Sequence, residues 1–158
     1  MKLIKVVIIC LVALTAAPAF AQDKQPDQNM QILLEKVKAD KKLVVAANMD
    51  LTEAEGAAFW PIYDAYQKDL QALNERIGKT IVAYADAYNK KSLSDAQAKQ
   101  LTDEVLAIDQ DEITLRKTYA ARLGRAIPGT KVARYLQIEN KIRAAIRYDL
   151  AAGIPLVP

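Results

Sequence analysis

The stretch FWPIYDAYQKDLQALNERIGKTIVAYADAY, residues 59–88, decides how this chain folds. Its large apolar residues are Phe59, Tyr63, Tyr66, Leu70, Leu73, Ile77, Ile81, Tyr84 and Tyr88, recurring at steps of 4, 3, 4, 3, 4, 4, 3 and 4. A strand would bring an apolar side chain to one face at every second residue, whereas a helix does so at every third or fourth. The steps lie close to the 3.5-residue repeat of a coiled-coil seam. Asn89-Lys90-Lys91-Ser92-Leu93 breaks the pattern. Beyond it Leu101, Val105, Ile108, Glu112, Leu115, Tyr119 and Leu123 repeat it at steps of 4, 3, 4, 3, 4 and 4. Two seams of about thirty residues joined by a short loop describe an antiparallel helical hairpin with arms of about 45 Å.

The flanking sequence supplies the ends of the helices. In Leu51-Thr52-Glu53-Ala54-Glu55, Thr52 can cap the helix N-terminus while Glu55 reaches back to the Thr52 N–H. Leu93-Ser94-Asp95-Ala96-Gln97 repeats that device for the second arm, with Ser94 as cap and Gln97 as the returning side chain. Pro61 removes a hydrogen bond to Ala57, which predicts a short helix over Glu53 to Phe59 and a kink or restart at Trp60-Pro61. A first helix is expected over Gln28 to Asn48, with Met30, Leu34, Val37 and Val44 on one face. Pro128-Gly129 ends the third helix. Thr130 is expected to cap a fourth, from Lys131 to Ala152, with Val132, Tyr135, Ile138, Ile142, Ile146 and Leu150 inward. The expected fold is therefore all-α, an elongated antiparallel helical hairpin with flanking helices, about four in all, and a kink near Pro61. Residues 28–152 form one domain and 153–158 a C-terminal tail. The long apolar edge of such a hairpin must be covered by the flanking helices or by a second copy in a homodimer, and the balance leans slightly to the dimer.

Residues 1–21 read as a cleaved signal peptide. Lys2 and Lys5 make a basic start, Val6 to Leu14 an uncharged apolar run, and Ala19-Phe20-Ala21 a small-x-small cleavage pattern. The run is shorter than the roughly 20 residues a membrane-spanning helix needs, and no later segment is apolar enough to span, so no transmembrane segment is expected after cleavage. Cleavage after Ala21 would release a periplasmic protein beginning at Gln22, with residues 22–27 as a short disordered lead.

Composition narrows the chemistry. The chain has no His and its one Cys is Cys10, inside the signal. That removes Ser-His-Asp and Cys-His catalysis, His-ligated zinc and disulfides from the mature chain. Carboxylates cluster at Asp103, Glu104, Asp109, Asp111 and Glu112, but the Glu-x-x-His of di-metal bundles is missing. This cluster reads as a solvated acidic face, with Glu112, at a seam position, expected to pair with Lys68 or Arg76. No enzyme is expected, and no catalytic residue, metal ligand or cofactor is assigned.

Charge is distributed unevenly. Residues 22–112 carry a net charge of −6, whereas residues 113–158 hold nine basic residues against Glu139 and Asp149, a net of +7. The basic part can lie along the acidic part of its own chain or a partner chain. Alternatively Arg116, Lys117, Arg122 and Arg125 present a basic face to acidic proteins. Nucleic acid is not an expected partner in a compartment that contains none to regulate. Phe59, Trp60, Tyr63 and Tyr66 around Pro61 are either core or an apolar patch that holds unfolded segments of other proteins.

The signal sequence, the hairpin and the two Leu-Ser/Thr-x-x-Gln/Glu caps together resemble the Spy/CpxP/ZraP-like group of bacterial periplasmic proteins with LTxxQ motifs. Leu93-Ser94-Asp95-Ala96-Gln97 matches with Ser for Thr, and Leu51-Thr52-Glu53-Ala54-Glu55 with Glu for Gln. The Phe59-Trp60-Pro61-Ile62-Tyr63 element is similar to that of small secreted proteins grouped with this family. The likeness spans Leu51 to about Ala126. It implies an envelope-stress role: an ATP-independent chaperone that shields unfolded envelope proteins, or a regulatory partner binding a sensor kinase's periplasmic domain through the basic half. The zinc-responsive members use His and Cys, which the mature chain lacks.

Overall fold

Helices account for nearly all of residues 40–157, which are those described by the computed structural model of the chain. The signal peptide, the lead, the first helix before residue 40 with Met30, Leu34 and Val37, and Pro158 lie outside the described residues. Within them, α1 covers residues 40–49, α2 Glu53–Asn89, α3 Asp95–Leu123 and α4 Gly129–Gly153, and no strand is present. α2 and α3 form the antiparallel hairpin expected from their seams. At 1.5 Å per residue α2 is about 55 Å long and α3 about 43 Å.

Both capping boxes are formed. Thr52 Oγ1 accepts from the Glu55 N–H at 3.2 Å while Glu55 Oε2 accepts from the Thr52 N–H at 2.9 Å. Ser94 Oγ and Gln97 Oε1 make the same exchange at 3.3 and 3.1 Å. Between the arms, the Lys91 N–H donates to the Tyr88 carbonyl and the Ser92 N–H to the Ala87 carbonyl. This is a Schellman ending, with Lys91 at φ +51° where glycine is usual.

Three helix boundaries differ from expectation. α2 passes through Pro61 without a break. The missing Pro61 N–H costs about 3 kcal/mol. Phe59, Tyr63 and Tyr66 bury one face of the helix on both sides of it, at roughly 1.5–3 kcal/mol each, and outweigh that loss. Pro61 itself is exposed, so its ring meets solvent rather than a packed neighbour. α3 ends at Leu123, five residues before the Pro128-Gly129 stop. The intervening turn is closed by N–H groups of Gly124 to Ile127 donating to carbonyls of Ala120, Arg122 and Leu123. α4 then starts at Gly129 with Pro128 at its cap, and no side chain caps it, so Thr130 does not play the role expected of it.

α4 runs up the hairpin parallel to α2. Its contacts begin with Tyr135 edge-on to Phe59 at 5.1 Å, continue through Glu139 to Gln67 and Arg143 to Glu112, and end where Pro155 meets Tyr84. This covers one side of the hairpin, as a flanking helix should. The covering is uneven. The core is concentrated at the end where α2 begins, around Val45, Met49, Phe59, Tyr63, Tyr66, Tyr119, Leu123, Ile127, Tyr135 and Ile142. Nearer the α2–α3 loop, Val105 and Ile146 are open to solvent, although the seams place both inward.

Candidate functional site

The aromatic group around Pro61 is core. Phe59, Tyr63 and Tyr66 are almost fully buried, and their rings pack edge-to-face or tilted against Trp60, Tyr119 and Tyr135. This removes these three from any client-binding surface. They are inward because α1 and α4 both close over this end of α2, a packing that sequence spacing does not reveal. Trp60 alone stays half-exposed, with the Lys42 ammonium 5.3 Å from its ring centroid.

Beside these rings lies a buried polar cluster that the sequence did not announce. Glu139, 6% exposed, accepts from Lys41 Nζ at 2.8 Å, Gln67 Nε2 at 3.1 Å and the Tyr135 hydroxyl at 3.0 Å. It ties α1, α2 and α4 together and is fully partnered, as a buried charge must be. Burial first, and then the Glu139 carboxylate, push the phenols of Tyr63, Tyr66 and Tyr135 well above their ordinary range. The only hint in the sequence was Glu139 at mid-helix, one of two acids, with Asp149, in an otherwise basic helix.

The acidic cluster on α3 is not a free carboxylate face. Arg76 bridges Glu104 and Asp111, and Lys99 pairs with Asp103. Glu112 pairs with Arg143 and Arg147 of α4, not with Lys68 or Arg76 of α2 as expected, because α4 lies on the face of α3 to which the seam points. Asp109 shares Arg147. Among the described residues no three carboxylates converge in the way a metal site requires.

Much of the basic excess is spent in the same way. At the base, Lys131 donates to the Asp50 carbonyl and Arg134 Nε to the Asn48 carbonyl at 2.6 Å, closing the C-terminal end of α1 with positive charge. Arg116, Lys117, Arg122 and Arg125 make no ion pair with any described residue. Lys117, Arg122 and Arg125 are exposed and Arg116 is half-buried. The Arg122 guanidinium sits 4.7 Å from the Tyr119 ring centroid.

The two cap motifs stand at opposite ends of the molecule. Leu51 packs on the core beneath Thr52 and Glu55, whereas Leu93 points into an apolar cleft at the loop end, beside Ser94 and Gln97. That cleft has a volume of about 380 Å³ and lies between the ends of α2 and α3 and residues Ile154–Val157. Its hairpin wall includes Ile81, Tyr84, Leu101 and Val105, and no charged side chain lines it. Leu106 and Leu156, at its edges, are 62% and 89% exposed. The sequence signal for it was the apolar Ile154-Pro155-Leu156-Val157 run, which reads at first as no more than the end of a helix.

Compared with protein-family models, curated proteins and solved structures, the chain matches none. No helix among the described residues is long and apolar enough to cross a membrane.

Proposed function

We propose that this protein is an exported, periplasmic helical chaperone of the Spy/CpxP-like kind, holding unfolded or aggregation-prone envelope polypeptides without ATP. The observation that carries the reading is the apolar surface left open on the loop-end half of the hairpin. Val82, Val105, Leu106, Leu156 and Val157 are all exposed there, while the core lies at the other end. Of these, Val105, Leu106, Leu156 and Val157 line one apolar cleft, and exposed apolar surface gathered in this way on a folded chain marks an interaction site. The export signal in residues 1–21 and the cap motifs support the compartment and the kinship. The surface used differs from the sequence expectation: the buried Phe59, Tyr63 and Tyr66 give way to the loop end. The mature chain, mixed in increasing ratio with a chemically denatured model protein, should lower light scattering without added nucleotide. Unchanged aggregation at severalfold excess would refute the reading.

The basic residues without carboxylate partners among the described residues favour a second reading, regulation of an envelope sensor kinase through its periplasmic domain. Reversing charge at Lys117, Arg122 and Arg125 should abolish capture of such a domain, and raised salt should weaken it. Capture that survives both changes removes this reading.

A further inference from the structure

We propose that the apolar cleft at the loop end is a binding site for an extended, uncharged stretch of polypeptide, laid alongside residues Ile154–Val157 and covered by them. This rests on the holding role proposed above, and it names the place and the kind of segment held.

The cleft's volume, about 380 Å³, falls in the range of roughly 300–1,000 Å³ found for ligand sites. Its lining carries hydroxyls at Thr80, Tyr84 and Thr102 but no ionisable acid or base other than that phenol. A charged guest side chain would therefore lose its water without gaining a partner. Selection for uncharged segments follows from the walls themselves.

The strap after α4 explains why the guest is a peptide. Ile154 leaves the helix in an extended conformation, φ −95° and ψ 117°. Its N–H donates to the Leu150 carbonyl, and the Tyr84 hydroxyl donates to the Pro155 carbonyl at 3.0 Å, fastening the strap to α2. Beyond that tie, the N–H groups of Leu156 and Val157 have no partner among the described residues. A strap that leaves α4 extended at Ile154 and carries free donors at Leu156 and Val157 beside an apolar cleft offers an extended guest main-chain pairing and side-chain burial together. A hydrocarbon chain would fill the cleft but leave those donors unused. The apolar side chains on both walls are also incompletely covered: Val105 is 39% exposed, Val157 61% and Leu156 89%. A guest between the walls buries apolar surface from both sides at once.

The test is fluorescence anisotropy with a fluorescein-labelled hexapeptide, Ser-Val-Ile-Val-Leu-Ser, titrated with the mature chain and with its Val105→Asp, Leu156→Asp and Tyr84→Phe variants. Val105 and Leu156 are exposed, so their substitution leaves the core intact, and circular dichroism confirms the fold of each variant. Saturable binding to the parent chain is expected. Either aspartate should weaken it by about tenfold or more, and Tyr84→Phe, which releases the strap, by about two- to fivefold. A peptide with aspartate in place of its two valines should not bind. The proposal is overturned by absent binding, or by equal affinity for parent and aspartate variants. It is also overturned if laurate binds while the peptide does not, or if the mass doubles on a light-scattering detector as peptide binding is lost, which would give the cleft to a second copy. Aggregation suppression measured on the same proteins separates the two ideas. Peptide binding without suppression retains the cleft and removes the chaperone. Suppression without cleft binding retains the chaperone and places its clients elsewhere.

Discussion

Removing the Glu139 side chain tests what holds the helices at the core end together. Its carboxylate accepts from Lys41, Gln67 and Tyr135, so Glu139→Ala leaves three donors facing a void. Breaking a buried ion pair from one side costs about 3–5 kcal/mol. The lower end applies here, because the Lys41 side chain is 22% exposed and its ammonium also donates to Gln67 Oε1 at 2.9 Å. We expect a loss of about 3 kcal/mol, which for a domain of this size lowers Tm by about 10 °C. The double variant Lys41→Met, Glu139→Leu removes both charges and fills the space. It should recover most of that loss, because apolar replacement of a buried pair is often neutral or better. Urea unfolding followed by circular dichroism at pH 7 reads both values. A Glu139→Ala cost below about 1 kcal/mol, or a double variant as unstable as the single one, would refute the account of the cluster as a coupled, desolvated unit.

Other expectations follow from the same packing. Tyr63, Tyr66 and Tyr135 have folded-state pKa values raised above the unfolded value near 10, so the neutral phenols stabilise the fold fully below pH 10. That contribution is lost as pH rises through their folded values, at no more than about 1.4 kcal/mol per pH unit for each phenol. Urea midpoints at pH 9, 10 and 11 should therefore hold steady and then fall, and a flat profile would contradict their burial. Pro61→Ala restores an N–H for the Ala57 carbonyl on an exposed face and should raise stability by about 1–3 kcal/mol, whereas a loss would mean the ring packs productively. Lys91→Gly relieves a left-handed residue in the Schellman ending and should gain up to about 1 kcal/mol in the same assay, with a measurable loss counting against it.

What the sequence displayed was periodicity and punctuation, and both translate directly into backbone geometry. The steps of three and four along residues 59–88 and 101–123 described the hairpin, and both capping boxes formed because their hydrogen bonds are local. Partnership was less legible. The seam position of Glu112 said that it faces inward, but not that α4, rather than α2, would present the arginines. The Pro61 penalty was read correctly as a local cost. It did not break the helix because three aromatic residues bury against Tyr135, far along the chain on α4, and against α1. Glu139 was invisible for the same reason: Lys41, Gln67 and Tyr135 converge on it from three helices. The apolar cleft was missed because its third wall is a tail of four residues with no periodicity to read.

The lopsided core gives the bundle a direction in which it comes apart. Amide protons from residues near 80–105 are held by helices with little tertiary cover, whereas those near 59–66 and 119–135 sit under interlocked rings. Native-state exchange should run fastest beside the Asn89–Ser94 turn and slow steadily toward the opposite end, so that the rod unzips from its loop while its foot stays closed. A protein that frays at one end and not the other can remodel its outer half around an irregular guest and still keep one intact nucleus on which to snap shut again.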